Sequence, residues 1–218
     1  MLKILKGQEE TIKSVIVCEE SGSASSFPFV LHFLSTATGS NQKIAIFSSR
    51  YTETNYKLIC SKAGVRWIPS QIFFFELINS FESFDVSSKE LMTNVKKRVL
   101  ETGVTSVLFD DLSVLEQFGA APFEVTVFVH EIYTMLKATE SPESALVVAP
   151  FSIPSRASHL LRSRCNVFAQ FAPVGHGFGK DASSKAVLTI RSKNEHAAKK
   201  GILLSGERTI NGTWVSVD

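Results

Sequence analysis

Short apolar runs alternate with amphipathic stretches along the first two thirds of the chain. The apolar runs predict five strands, at residues 14–18, 43–48, 72–75, 105–109 and 145–149. Helices are predicted between them, the first over 27–37 and the second over about 52–63, ending at Gly64. The third begins after the capping box Ser87-x-x-Glu90. The fourth is predicted by apolar residues at helical spacing, Val125, Phe128, Val129, Ile132 and Leu136. Strands that are apolar throughout and alternate with helices favour parallel pairing with helices on both faces. We therefore predict an α/β, doubly wound, mainly parallel sheet.

The pattern changes beyond Pro150. A short helical piece near 158–162 is followed by predicted strands at 167–171, 186–190, 201–205 and 213–217, with Asn211-Gly212 as the turn of a terminal hairpin. These strands predict an antiparallel extension of the parallel sheet. With no linker or low-complexity tract between the two parts, residues 1–218 are expected to form one domain.

The loop after the first predicted strand is where a nucleotide phosphate would bind in this architecture. A P-loop requires the pattern GxxxxGK[ST], in which the lysine contacts the terminal phosphates. Residues 19–28 of this chain read EESGSASSFP, with one glycine, no lysine and two glutamates that would repel a triphosphate. Gly179-Lys180 is not a substitute, because Val174 stands where the first glycine should be and Asp181 replaces the hydroxyl residue. We expect neither tight ATP binding nor a cofactor.

The fourth predicted strand ends in Asp110-Asp111, as the magnesium-binding strand of a P-loop ATPase does. Two interpretations are open for this pair. The aspartates are a vestige of a magnesium site, or they are solvated turn residues and helix caps that accept bonds from the free amides of residues 112–115. The missing P-loop favours the structural interpretation, so no catalytic residue is predicted.

Composition narrows the remaining classes of function. The 218 residues are 44% hydrophobic, yet no apolar run approaches the roughly 20 residues of a membrane span and the chain opens without a signal-peptide pattern. Cys18, Cys60 and Cys165 lack CxxC spacing and are expected to be buried thiols in a reducing compartment. The five histidines show no metal-ligand spacing, no GxSxG motif is present, and residues 73–75 fit a core strand better than a base-stacking platform.

Charge is unevenly distributed between the two parts of the chain. Residues 1–150 hold 13 basic and 17 acidic residues, a balance of −4, whereas residues 151–218 hold 10 and 4, a balance of +6, which together give the net +2. Eight basic residues of the last third are candidates for contacts to a phosphate backbone: Arg156, Arg162, Arg164, Lys180, Arg191, Lys193, Lys199 and Lys200. The alternative for each of them is a merely solvated surface position.

Three stretches resemble the family of sixth subunits of the Elongator complex. The first runs from SGSASSFPFVLHFLS to KAGV, the second is VLFDDLSVLEQFG, and the third is GHGFGKD with the strand AVLTIR after it. Together they cover positions from about 21 to 191, and the Asp-Asp-Leu-Ser and Gly-Phe-Gly-Lys-Asp pieces are the most specific.

The resemblance implies a RecA-like domain without an ordinary phosphate-binding loop. It also implies assembly with two RecA-like paralogues into a heterohexameric ring, association with the remaining Elongator subunits, and binding of tRNA during wobble-uridine modification. The uridine chemistry of such a complex lies in a different subunit, and the chain is expected in the cytoplasm, with the nucleus as a second compartment. Two alternatives stay open, an ATPase with a divergent loop and a recombinase-like DNA-binding paralogue.

Overall fold

The structure is a computed structural model that describes residues 15–77, 87–139, 142–173, 184–190, 199–205 and 210–213, of which 184, 185, 199–205 and 210–213 are described by backbone alone. Its strands are β1 (Val15–Glu20), β2 (Ile44–Ser48), β3 (Ile72–Glu76), β4 (Ser106–Phe109), β5 (Leu146–Phe151), β6 (Val167–Pro173), β7 (Ser184–Ile190), β8 (Lys199–Ser205) and β9 (Ile210–Thr213). Its α-helices are α1 (Phe27–Gly39), α2 (Glu53–Lys62), α3 (Ser88–Thr102), α4 (Ser113–Gln117), α5 (Pro122–Lys137) and α6 (Arg156–Arg162). The predicted α/β architecture is confirmed.

All nine of these strands join one sheet, in the order β3-β2-β4-β5-β1-β6-β7-β8-β9. The pairs from β3 to β6 are parallel, and β6, β7, β8 and β9 pair antiparallel. The mainly parallel sheet and its antiparallel extension are therefore as the apolar runs predict.

Helices cover both faces of the sheet, because each strand sends alternate residues to opposite sides. On one face α1 and α2 bury residues such as Leu34 and Tyr56 against Ile16 and Ile46. On the other face α3, α4, α5 and α6 bury residues such as Val129 against Val17 and Val107. Every apolar position that predicted α5, from Val125 to Leu136, is at most 2% exposed.

Local signals explain several helix boundaries. The capping box at Ser87 is present in both directions, with the Glu90 amide donating to Ser87 Oγ at 3.2 Å and the Ser87 amide donating to Glu90 Oε2 at 3.0 Å. Helix α2 ends before Gly64, whose φ of +69° suits glycine. The next amide, that of Val65, bonds back to the Cys60 carbonyl at 2.8 Å, which satisfies a free carbonyl of the last turn.

Three details differ from the sequence prediction. Asn211-Gly212 lies inside β9 instead of in a turn, because its backbone pairs with Leu203 and Leu204 of β8. Strand β1 continues through Glu19-Glu20, which pair with Gln170 and Phe171 of β6. The segment after Asp111, predicted as a turn, contains helix α4. For the two strands, pairing with a neighbouring strand outweighs the local preference.

Candidate functional site

Polar and charged residues collect where β1, β2, β4 and β5 end at one edge of the sheet. Glu19 and Glu20 close β1, Arg50 follows β2 by two residues, and Asp110-Asp111 follow β4. The carboxyl ends of parallel strands form the edge at which open α/β sheets bind ligands. We call this group the carboxyl-edge cluster.

Glu20 fills the start of helix α1. The residue is 5% exposed, and Oε1 of its carboxylate accepts hydrogen bonds from the Ser26 amide at 2.6 Å and from Ser26 Oγ at 2.7 Å. Ser26 is the residue that caps α1. The free amides and the dipole at a helix N-terminus favour an anion, and here the anion is the chain's own carboxylate.

Arg50 joins Glu20 to Asp111. Its Nη2 lies 2.8 Å from Glu20 Oε2 and 3.3 Å from Asp111 Oδ2. Burial alone would lower the pKa of Arg50, but the bond to Glu20 and the charges of Glu20 and both aspartates outweigh burial and raise it. The guanidinium therefore stays charged and ties the end of β1 to the end of β4.

Asp110 accepts hydrogen bonds from the turn after β2. It is 1% exposed and accepts from Ser48 Oγ, from the Ser49 amide at 2.8 Å and from the Arg50 amide at 3.2 Å. Burial raises the pKa of Asp110, although these hydrogen bonds act in the opposite direction. Both carboxylate oxygens are thus engaged by the backbone and hydroxyl groups of one turn.

Asp111 accepts hydrogen bonds from the start of α4 and from the residue after β5. Its Oδ1 accepts from the Ser113 amide at 2.9 Å, at the start of α4, and from the Ser152 amide at 3.1 Å, after β5. The Ser113 amide is one of the amides 112–115 that the capping interpretation named, but the N-cap residue of α4 is Leu112 and not Asp111. However, Asp110 and Asp111 are 1% and 9% exposed, so these aspartates are buried and not solvated.

Glu19 points to the opposite face of the sheet from Glu20. It is 4% exposed, and its Oε1 accepts from Ser158 Oγ in the first turn of α6 while Oε2 lies 3.4 Å from Gln170 Nε2. The cluster as a whole contains four buried carboxylates and one guanidinium. Its net negative charge opposes the binding of a phosphate.

The sequence prediction missed Arg50 and the serines that bond to the carboxylates, Ser26, Ser48, Ser152 and Ser158. One signal could have found Arg50. It follows the apolar run 44–48 within two residues, and the ends of parallel strands meet at one edge. The serines carry no comparable signal, because serine is abundant along the whole chain.

Among the predicted RNA-contacting residues, Arg156, Arg162 and Arg164 are exposed, and none of them forms an ion pair with an acidic residue that the structure describes. Arg156 opens α6 at the carboxyl edge, whereas Arg162 lies about 9 Å further along the helix axis. The Arg162 guanidinium carbon lies 4.5 Å from the centre of the Phe168 ring. The structure therefore separates Arg156 from Arg162 and Arg164.

Lys199 and Lys200 fall on the same side as Arg162 and Arg164. Lys199 pairs with Ile190, which pairs with Val167 at the start of β6, so its backbone lies about 10 Å from that of Val167. We call this side, opposite the carboxyl-edge cluster, the amino edge. Lys180, Arg191 and Lys193, together with the stretch GHGFGKD, lie outside the described residues.

No family model matches the chain, and no curated protein matches it either. Within the described residues no helix is long and apolar enough to cross a membrane. The same part of the chain contains no group of three or more His, Cys, Asp or Glu side chains arranged to hold a metal ion.

Replacing Arg50 tests whether the carboxyl-edge cluster depends on its cation. Arg50→Met keeps the aliphatic stem but leaves Glu20 and Asp111 without a cation, and we expect the free energy of unfolding to fall by roughly 3 kcal/mol. This is the lower end of the usual range for buried pairs, because 22% of the Arg50 side chain is exposed. Urea unfolding followed by circular dichroism measures the change.

Lys97→Met is the matched control, since its pair with Glu101 is exposed on both sides and should contribute less than about 1 kcal/mol. Adding Glu20→Gln to Arg50→Met should recover part of the lost free energy of unfolding, because the glutamine amide carries no charge that needs a partner. If Arg50→Met costs no more than the control, the cluster does not depend on this arginine.

Proposed function

We propose that this chain is a non-catalytic, RecA-like subunit that assembles with two RecA-like paralogues into the hetero-oligomeric ring of Elongator. The observation that carries the proposal is Glu20, whose carboxylate occupies the helix N-terminus where a RecA-like ATPase would bind phosphate. The motif resemblance supplies the family, and the parallel sheet with helices on both faces is compatible with it.

The carboxyl-edge cluster supports a role without ATP hydrolysis. A triphosphate entering the β1–α1 loop would have to displace Glu20 from Ser26 and approach three further buried carboxylates. Breaking the Glu20–Arg50 pair in the process would itself cost about 3 kcal/mol if the charges stayed buried. A site that stabilises the fold in this way is poorly suited to a nucleotide cycle.

The amino edge supports a role in binding RNA. Arg162 and Arg164 are exposed without described acidic partners, and the backbones of Lys199 and Lys200 lie at the same edge. Cations of this kind give salt-dependent contacts to phosphates with little reading of the bases. In this proposal the ring holds tRNA for wobble-uridine modification by another Elongator subunit, in the cytoplasm and also in the nucleus.

Assembly is the direct test of the proposal. Mixing the purified chain with the two paralogous Elongator subunits should give one ring of defined mass with two copies of each subunit, measured by native mass spectrometry. Omitting either paralogue is the control and should abolish that mass. A chain that stays monomeric in the complete mixture would exclude the assignment.

The second candidate function is an ATPase with a divergent loop, which is favoured by the position of Asp110 and Asp111 at the end of β4. Our proposal predicts no ATP turnover above background for the isolated chain, and no change on Asp110→Asn or Asp111→Asn, because neither carboxylate holds magnesium. A coupled phosphate-release assay measures this. Turnover that either substitution removes would establish the ATPase instead.

Charge reversal tests the RNA-binding edge. Arg162→Glu with Arg164→Glu should weaken tRNA binding and reduce the slope of log affinity against log salt, by about one unit for each phosphate that the protein no longer neutralises. Fluorescence anisotropy over a salt series measures both quantities. Single-stranded DNA should compete less well than tRNA, and the reverse order would favour the recombinase-like alternative.

The matched control for this experiment is Arg156→Glu with Lys89→Glu. It makes the same change in net charge at exposed positions in the first turns of α6 and α3, which follow the carboxyl ends of β5 and β3. If both double variants weaken tRNA binding equally, the effect is one of net charge in general. If the Arg162 and Arg164 variant binds tRNA with unchanged affinity, the amino edge is excluded as the tRNA-binding surface.

A further inference from the structure

A cavity of about 580 Å³ lies at the edge of the sheet, between β3 and helix α3. Phe47, Phe75 and Leu91 provide its apolar wall, and Asn94, Lys97 and Arg98 of α3 provide a polar one. The volume falls in the range of small-molecule sites, which combine apolar walls with a few polar groups. In the sheet order, β3 is separated from β1 by β2, β4 and β5, so this cavity is distinct from the β1–α1 loop.

An aromatic stack runs across the sheet and ends at this cavity. The rings of Phe109 and Phe47 are stacked with centroids 5.6 Å apart, and those of Phe47 and Phe75 with centroids 5.0 Å apart and an angle of 17°. The three residues are register neighbours on β4, β2 and β3. Because β3 is the first strand of the sheet, the stack ends at Phe75, whose side chain is partly exposed.

Two carboxylates, those of Glu53 and Glu76, line the cavity together with the two cations. Glu76 Oε1 accepts from the Glu53 amide at 2.8 Å, and Glu53 pairs with Lys57 at 2.8 Å. On the opposite wall the Arg98 guanidinium carbon lies 5.7 Å from the centre of the Phe75 ring.

Arg98 and Lys97 both pair with Glu101, and all three side chains are at least 45% exposed. Exposed pairs of this kind contribute little, so a phosphate can replace Glu101 as the partner of the two cations.

We propose that this cavity binds a nucleotide, with the base stacked on Phe75 and the phosphate held by Lys97 and Arg98. Asn94 offers both a donor and an acceptor to the edge of the base. Stacking on aromatic rings and on arginine is the usual way in which proteins hold unpaired bases. The nucleotide is either a free mononucleotide or an unpaired nucleotide of RNA, and only the RNA source rests on the proposed function.

A titration of the isotope-labelled full chain, followed by nuclear magnetic resonance, tests the site. Adenosine monophosphate and a short single-stranded oligoadenylate are the two probes, since a purine offers the largest stacking surface. We expect the backbone amide signals of Asn94, Lys97 and Arg98 to shift with at least one of them. Binding of the oligonucleotide alone identifies RNA as the source, and binding of the mononucleotide alone identifies a free nucleotide.

Three substitutions assign the contacts. Phe75→Leu should weaken binding about fivefold or more because the base can no longer stack on the ring. Asn94→Ala and Arg98→Ala should also weaken binding, and the fold should tolerate them because both side chains are exposed on α3. The control Arg156→Ala removes an exposed cation on α6, which packs on β1 and does not line the cavity, and it should change nothing.

Two results would overturn the inference. In the first, neither probe shifts the amide signals of the cavity residues. In the second, both probes bind the cavity variants as tightly as they bind the unchanged chain. Neither result depends on the Arg162 and Arg164 experiment, so this site and the proposed RNA-binding edge can fail separately.

Discussion

Burial of four carboxylates beside one guanidinium is the constraint on which the carboxyl edge of this sheet depends. Each carboxylate must find donors within the protein, because an unsatisfied buried charge is costly. Glu20 accepts hydrogen bonds from the start of α1, and Asp110 accepts them from the turn after β2. Asp111 accepts them from the start of α4 and from the residue after β5. Arg50 then joins two of them. The ends of the central strands are therefore held together by polar groups and not by apolar packing alone.

This arrangement separates the two edges of the sheet electrostatically. The carboxyl edge, where this architecture places ligands, carries a net negative charge that is satisfied internally. Exposed arginines without described acidic partners lie at the opposite edge, together with the start of β8. The proposed role in RNA binding would use the amino edge for this reason, because the buried carboxylates oppose an anion at the usual nucleotide position.

The aromatic residues of the strands have a related division of roles. Phe109 and Phe47 are at most 1% exposed and belong to the core, whereas Phe75 continues the same stack to the sheet edge and is partly exposed. Both Phe47 and Phe75 border the cavity. The sequence interpretation of residues 73–75 as a core strand holds for the backbone, but these three side chains remain partly exposed. Position in the sheet, and not residue type, decides which phenylalanine is exposed at the edge.

The amino-acid sequence alone was enough to predict the elements and their class, because apolar periodicity along α5 and the capping box at Ser87 are local properties. It was also enough to show that the pattern GxxxxGK[ST] is absent, because this motif needs particular residues at fixed spacing. Tertiary structure was needed to establish that Asn211-Gly212 pairs with β8, that Arg50 joins Glu20 to Asp111, and that Arg156 lies apart from Arg162. These features depend on strand order and register, which bring together residues far apart in the chain and which local patterns do not encode.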